Sequence, residues 1–173
     1  GQLGTNNTTY YSSPKQVGAL TNWSNLCGSL YCVAAIKTDG TLWSWGWNYF
    51  GQLGDGTTNN TSSPVQIVSG GTDWKSLGAN KSMWHNTAIK TDGTLWIWGR
   101  NAYGELGDNT TVDKSSPVQT VSGGTSWKMV AGGYKQCSAI KADGTIWNWG
   151  NNATGQLGDN TTVNKSSPVQ MIV

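Results

Sequence analysis

Residues 40–58 read "GTLWSWGWNYFGQLGDGTT", and this stretch occurs three times in the chain. It returns as "GTLWIWGRNAYGELGDNTT" at residues 93–111 and as "GTIWNWGNNATGQLGDNTT" at residues 144–162. Its "GQLG" part also opens the chain at Gly1, so the repeating unit is about 51 residues long. A fixed period of this size indicates a repeat architecture, in which each copy forms one supersecondary unit.

The repeats also set the expected domain organisation. We predict a single domain over residues 1–173, built from a half unit at about 1–22 and full units at about 23–73, 74–126 and 127–173. The second unit carries two extra residues within "GANKSMWHN", and we expect a loop to absorb them.

Each unit divides into pieces of strand length. In the third unit these are "WKMVAG", "QCSAIKA", "TIWNWG" and the "SSPVQMIV" segment. An Asp-Gly pair separates the second piece from the third, and it predicts a hairpin with a type I′ turn. Trp43 and Trp45 are two residues apart, so an extended chain places them on one face. Four short antiparallel strands per unit predict an all-β fold made of β-propeller blades, with the tryptophans packed between blades. No apolar period of 3.6 residues supports a helical solenoid.

The number of blades raises a question of closure. The chain holds about three and a half blades, whereas propeller rings have roughly four to eight. Two explanations stay open. The chain is a piece of a longer protein, since it begins inside a unit, or copies of it join to complete a ring.

The stretch "AIKTDGTLWSWGWNYFGQLGDG" resembles the repeat of the regulator of chromosome condensation family. The order of DG, WG, Asn, GQLG and Pro is kept in every copy. The resemblance implies propeller blades of about this length. The family repeat often has a His ahead of the second strand, which only His85 matches, because Cys32 and Gln136 occupy the equivalent places.

Composition narrows the possible partners. Only 12% of the 173 residues are charged, and the net charge of +2 comes from scattered Lys and a single Arg, without a basic block. We therefore expect no nucleic-acid partner. No apolar run approaches the roughly 20 residues of a membrane helix, so no membrane insertion is expected. A surface of low charge fits an extracellular place, on a cell surface or a virion.

The sequence shows no set of residues typical of catalysis, and we predict that the chain is not an enzyme and has no cofactor or metal. His85 is the only His, and no nucleophile motif accompanies it. The GQLG glycines lead to polar turns and not to the helix that a phosphate loop needs. Cys27 and Cys32 are close enough to meet across a turn, but the third thiol, Cys137, leaves the total odd.

Positions at which the units differ are better candidates for function than the repeated scaffold. The loop after each "WG" reads "WNYF" at 47–50, "RNAY" at 100–103 and "NNAT" at 151–154. Aromatic residues and Arg are enriched at binding hot spots. The alternative is that these side chains pack against the adjoining blade. The expected contact residues, including two from the longer loop of the second unit, are Trp47, Tyr49, Phe50, Trp84, His85, Arg100 and Tyr103.

These observations favour a non-catalytic propeller that binds a protein partner or assembles with its own copies. Three alternatives from other classes stay open. The resemblance implies a guanine-nucleotide exchange factor, but the chain shows no matching surface wedge and no basic patch for DNA. It also permits an enzyme inhibitor, because one relative of this fold blocks β-lactamases. Aromatic side chains such as Trp47 or Tyr103 would suit a glycan-binding propeller.

Overall fold

The computed structural model describes residues 1–19, 21–79, 84–122 and 124–172. This part of the chain forms twelve β-strands, arranged as three antiparallel sheets that each follow the order of the chain. Blade 1 consists of β1 (Trp23–Gly28), β2 (Cys32–Lys37), β3 (Leu42–Gly46) and β4 (Thr61–Gln66). Blade 2 consists of β5 (Trp74–Leu77), β6 (His85–Lys90), β7 (Leu95–Gly99) and β8 (Lys114–Gln119). Blade 3 consists of β9 (Trp127–Gly132), β10 (Gln136–Lys141), β11 (Ile146–Gly150) and β12 (Lys165–Gln170).

The all-β prediction of four-stranded propeller blades is therefore confirmed. In the described ranges no helix is long and apolar enough to cross a membrane. The insertion predicted in the second unit falls partly on residues 80–83, which lie outside the described residues. Residues 1–19 form turns and bends without an assigned strand, and they lie against blade 1 through the bond from Asn6 N to Ser62 O (2.8 Å).

The Asp-Gly hairpin is confirmed between β2 and β3, but the predicted type I′ turn is wrong. Gly40 has a φ of +79°, whereas Asp39 is not among the residues with positive φ, as a type I′ turn would require. Gly40 N donates to Lys37 O (2.9 Å), which closes a three-residue loop with the glycine in the left-handed region. The Asp39 carboxylate instead accepts hydrogen bonds from the backbone N and hydroxyl of Thr41 (2.9 and 2.6 Å).

The second tryptophan of each pair joins consecutive repeats. Trp98 Nε1 donates to Gln52 O (2.9 Å), and Trp149 Nε1 donates to Glu105 O (2.7 Å). In each case the acceptor belongs to the GQLG-type loop of the preceding repeat. The indole sits so close that a Cβ at Gly54, whose φ is +70°, would lie 2.8 Å from Trp98 Nε1. The recurrence of Trp and Gly in the sequence is therefore one contact made again at each junction. We call it the tryptophan latch.

The first tryptophan of each pair has another role. Trp43 is only partly buried, and Lys37 Nζ lies 3.8 Å from the centroid of its ring and 5.2 Å from that of Trp23. Lys90 and Lys141 sit between two indoles in the same way. Each blade thus holds one ammonium group between aromatic faces, where the ring quadrupoles attract it.

The apolar core lies between the blades, where β2 packs against β5 and β6 packs against β9. The cluster between blades 1 and 2 consists of Ala34, Ile36, Leu42, Ile67, Trp74, Ala88 and Trp98. The cluster between blades 2 and 3 consists of Ile89, Leu95, Ile97, Leu106, Trp127, Val130, Cys137, Ala139 and Trp149. The prediction that tryptophans fill the space between blades is confirmed for Trp98 and Trp149, which are fully buried, whereas the first tryptophan of each pair is only partly buried.

Candidate functional site: an aromatic rim

The loops after β3, β7 and β11 are each organised around one buried asparagine. Asn48 Nδ2 donates to Asp55 Oδ1 (3.0 Å), and Asn48 Oδ1 accepts from Leu53 N (2.8 Å). Asn101 and Asn152 make the same two bonds in the other blades. These repeated contacts fix the loop backbone, so the neighbouring variable side chains project from a fixed frame.

At the end of every blade, a backbone hydrogen bond also brings two variable positions side by side. Trp47 N donates to Tyr31 O (2.9 Å), which places the residue before β2 beside the residue after β3. Arg100 N bonds to Trp84 O (2.8 Å) in blade 2 in the same way. The equivalent bond in blade 3 runs from Asn151 N to Lys135 O (2.9 Å). Each blade therefore presents a pair of side chains whose identity changes from copy to copy.

Aromatic rings connect these pairs from one blade to the next. Phe50 extends from the blade 1 loop and packs edge-on against Trp84, with ring centroids 5.1 Å apart. The Arg100 guanidinium lies 5.0 Å from the Trp84 ring and 5.7 Å from that of Tyr103. Lys135 Nζ of blade 3 lies 4.7 Å from the Tyr103 ring. The contacts thus form one continuous surface across three blades.

We call this surface the aromatic rim. Its members are Tyr31, Trp47, Tyr49, Phe50, Trp84, Arg100, Tyr103, Tyr134 and Lys135. Tyr31, Tyr49 and Tyr134 are the most exposed, with 45%, 68% and 53% of their surface accessible. A cavity of about 600 Å³ adjoins the rim at Trp47 and Tyr31. The site offers aromatic faces and cations, and it is suited to binding.

Six of the seven predicted contact residues lie together in this rim, and His85 does not. The sequence placed His85 in an exposed loop, but it is the first residue of β6 and is only 1% exposed. Its side chain is directed into the junction with blade 3, where Nε2 lies 3.1 Å from Cys137 Sγ. Phe50 and Tyr103 belong to the rim but also pack toward the following blade. Packing against the adjoining blade, the alternative to a binding role, therefore describes part of their contacts.

Sequence reasoning missed Tyr31, Tyr134 and Lys135. A signal for two of them was available, because Tyr31 and Lys135 occupy the position of Trp84 in the other two units. A backbone hydrogen bond joins the loop before the second strand to the loop after the third, so this position lies beside the variable loop after "WG". Tyr134 stands one residue earlier, and its 5.9 Å contact with Trp84 crosses between blades.

The buried pair of His85 and Cys137 is not arranged for nucleophilic chemistry. Burial lowers the pKa of His85 to about 4, so the imidazole is neutral at pH 7. Burial and the nearby Glu105 charge raise the pKa of the Cys137 thiol well above its ordinary value, so it stays protonated. Cys27, Cys32 and Cys137 are all free thiols. Among the described residues no group of three or more His, Cys, Asp or Glu could hold a metal ion.

Comparison with known proteins identifies the repeat. The model of the "Regulator of chromosome condensation (RCC1) repeat" matches residues 39–80, 92–140 and 143–173, which together make up most of the chain. The chain belongs to this repeat family. The resemblance inferred from the motifs is thereby confirmed, and the three sheets are blades of an RCC1-type propeller.

The relatives with similar sequences are longer proteins of several kinds. The ultraviolet-B receptor UVR8 of Arabidopsis thaliana is 29% identical over 175 residues, covering 99% of this chain and 39% of the receptor. The E3 ubiquitin-protein ligase HERC2 of Mus musculus is 32% identical, covering 94% of this chain but only 3% of the ligase. This chain therefore corresponds to a repeat segment in each of them.

The solved structure of Prp20p from Saccharomyces cerevisiae has the same fold. The two superpose with a TM-score of 0.85 at 20% identity, covering 99% of this chain and 44% of Prp20p. The chain thus spans less than half the length of the RCC1 relatives named here. At this level of identity the likeness establishes the fold alone.

Proposed function

We propose that this chain is a non-catalytic propeller module that binds a protein partner through the aromatic rim. The observation that carries the proposal is the unbroken row of ring and cation contacts from Trp47 to Lys135, formed by positions at which the repeats differ. The asparagines that fix these loops make the same bonds in each blade. The variable loop positions come together on a surface that a partner can reach.

The chemistry of the rim suits protein recognition. Trp, Tyr and Arg are the residues enriched at interface hot spots, and the rigid rings of Trp and Tyr give a large contact area at a low cost in side-chain entropy. The Asn48-type bonds hold the loops in place before any partner arrives, which reduces the entropy lost on binding.

Relatives support a protein as the class of partner. Prp20p has been characterised for its binding to Gsp1p and to histones, and the yeast RCC1 protein has been solved bound to Kap60. Those partners belong to those proteins. For this chain they favour a protein ligand over a small molecule.

A random peptide library displayed on phage tests the proposal. We expect clones selected on the protein to lose binding to the double variant Tyr49→Ser, Tyr134→Ser, because both rings are exposed and removable without loss of core packing. The matched control is Val68→Ser, Val121→Ser, which changes side chains of similar exposure that follow β4 and β8 at the other ends of the sheets. Clones that bind the tyrosine variant as well as the unmodified protein would overturn the proposal.

Self-assembly is a second candidate, favoured by the open face of blade 1. Leu26 is 69% exposed there, and a cavity of about 480 Å³ is lined by Leu26, Val33 and Trp23 among others. A second copy that covers this face would bury apolar surface. Light scattering should then give a multiple of the 18.5 kDa chain mass that falls to one copy in Leu26→Glu. A monomer at all concentrations would exclude this candidate.

A place outside the cell or on a virion also stays a prediction, supported by the low content of charged residues. Labelling of intact cells or particles with an impermeant reagent would test it, with a known internal protein as the control. Exchange-factor, enzyme-inhibitor and glycan-binding activities remain alternative hypotheses. Binding to a glycan array would favour the glycan-binding activity.

A further inference from the structure

The aromatic rim holds two cations around one ring. The Arg100 guanidinium lies 5.7 Å from the Tyr103 centroid, and Lys135 Nζ lies 4.7 Å from it. Lys135 Nζ also donates to Tyr103 Oη (3.3 Å). The two positive charges are therefore held near each other on the part of the surface assigned to partner binding.

Neither cation is matched by a carboxylate at ion-pair distance within the described ranges. Three other cations are matched in this way, since Lys90 pairs with Asp73 (3.2 Å), and Lys114 and Lys165 pair with carboxylates of their own loops (3.6 and 3.3 Å). Arg100 influences the carboxyl of Glu105 through space, but Glu105 is fully buried and its Oε2 accepts from Tyr103 N (2.7 Å). On the outward side of the rim, neither Arg100 nor Lys135 thus forms an ion pair with a carboxylate of the described residues.

The stacked arrangement leaves both cations able to bind an anion. The aromatic rings attract the guanidinium and the ammonium by their faces. A guanidinium has five N–H donors and an ammonium three, and these groups cannot be satisfied by ring faces alone. Stacking therefore orders the two side chains and keeps donors available for a carboxylate.

We infer that the segment recognised by the rim is acidic: an extended stretch of a protein partner with carboxylates at alternate positions. Side chains on one face of an extended chain recur at roughly 7 Å, so two carboxylates at alternate positions suit two cations that lie 5.7 and 4.7 Å from the centroid of the same ring. Exposed Tyr49 and Tyr134 would cover the apolar parts of the same segment. This inference rests on the proposed function, for which it names the chemistry of the partner.

The phage selection can be extended to test the charge of the ligand. We expect selected clones to be enriched in Asp and Glu relative to the unselected library. Their affinity for the unmodified protein should weaken as salt is added, and it should fall roughly tenfold in the double variant Arg100→Gln, Lys135→Gln. The conservative variant Arg100→Lys should retain most of the affinity. Lys75→Gln, Lys128→Gln is the matched control, because both lysines are exposed at the starts of β5 and β9, away from the rim.

A chemically defined pair of probes completes the test. A synthetic peptide from a selected clone is compared by fluorescence anisotropy with its isostere, in which every Glu becomes Gln and every Asp becomes Asn. Equal affinity of the two peptides, or full binding to Arg100→Gln, Lys135→Gln, would overturn the acidic inference while leaving rim binding intact. Selected clones that do not depend on the rim tyrosines at all would overturn the proposed function and this inference together.

Discussion

The two junctions between blades share one backbone plan and differ in their polar residues. Three polar positions correspond between the two junctions. Between blades 1 and 2 they are occupied by the neutral residues Cys32, Gln52 and Asn86. Between blades 2 and 3 they hold His85, Glu105 and Cys137. Repetition of the fold therefore does not require repetition of the buried polar groups, provided that the tryptophan latch is kept.

The first junction satisfies its polar groups more fully. Asn86 Nδ2 donates to Gln52 O (2.8 Å), so that carbonyl receives a second bond in addition to the one from Trp98. Cys137 stands in the place of Asn86 at the second junction and contacts His85 instead (3.1 Å). Glu105 Oε1 is buried without a hydrogen-bond partner among the described residues. The second junction is thus the one that should respond to pH and to mutation.

The largest difference should appear when each latch tryptophan is removed. We expect Trp149→Leu to lower the free energy of unfolding by about 4 kcal/mol, since it opens a cavity and leaves the buried Glu105 carbonyl unpaired. Trp98→Leu should cost about 1 kcal/mol less, because Asn86 still donates to the Gln52 carbonyl. Urea unfolding of both variants measures the gap. Equal losses of unfolding free energy in the two variants would show that the bond from Asn86 to the Gln52 carbonyl does not contribute to stability.

A pH effect should come next and should involve only the second junction. Burial lowers the pKa of His85 to about 4, so between about pH 6.5 and 4 the unfolded chain binds a proton that the folded chain does not. The contribution of His85 to stability should therefore be lost as pH falls through this window, by up to about 3 kcal/mol. His85→Gln, which copies Gln136 of blade 3, removes this dependence.

The measurement is the unfolding free energy of the unmodified protein minus that of His85→Gln across this window. Subtraction cancels the titration of the other groups that the two proteins share. A difference that does not change with pH would contradict the assigned burial of the imidazole.

A smaller effect is expected from exchanging Gln52 and Glu105, which occupy the same position in two GQLG-type loops. Burial raises the pKa of Glu105, so the folded state disfavours the carboxylate and this penalty grows as pH rises. Glu105→Gln should stabilise the protein by about 1 kcal/mol at neutral pH and by nothing below about pH 4, where the carboxyl is neutral in both states. The reverse change, Gln52→Glu, should destabilise the first junction by a similar amount, as measured by thermal unfolding. Stabilisation by Gln52→Glu would contradict this account.

The smallest difference between the junctions should be in thiol reactivity. Burial raises the pKa of both Cys32 and Cys137, so neither forms much thiolate in the folded protein. Iodoacetamide followed by peptide mass mapping should label the partly exposed Cys27 first and leave the other two protected until unfolding. Labelling of Cys137 as fast as Cys27 would mean that His85 activates it, which would reopen the question of nucleophilic chemistry.

Features that recur in every unit could be predicted from the sequence. The strands, the hairpins and the packing of Trp98 and Trp149 between blades followed from period and spacing. The turn type was wrong because Asp-Gly suits two hairpin loops, and the capture of the Asp39 carboxylate by Thr41 decides between them. Most of the rim followed from comparing the units. The burial of His85 did not, because its contact, Cys137, lies 52 residues away and belongs to another blade.

The tryptophan latch has a consequence for how such chains change length. Donor and acceptor always come from consecutive repeats, as with Trp149 and the carbonyl of Glu105 or Trp45 and that of Gln2. In repeat arrays the interface terms act between nearest neighbours only. Duplication or deletion of one whole repeat in a gene therefore leaves every indole with a carbonyl from the copy before it. Unequal recombination can lengthen or shorten the array without breaking this bond, while the variable rim residues are carried along as exchangeable parts.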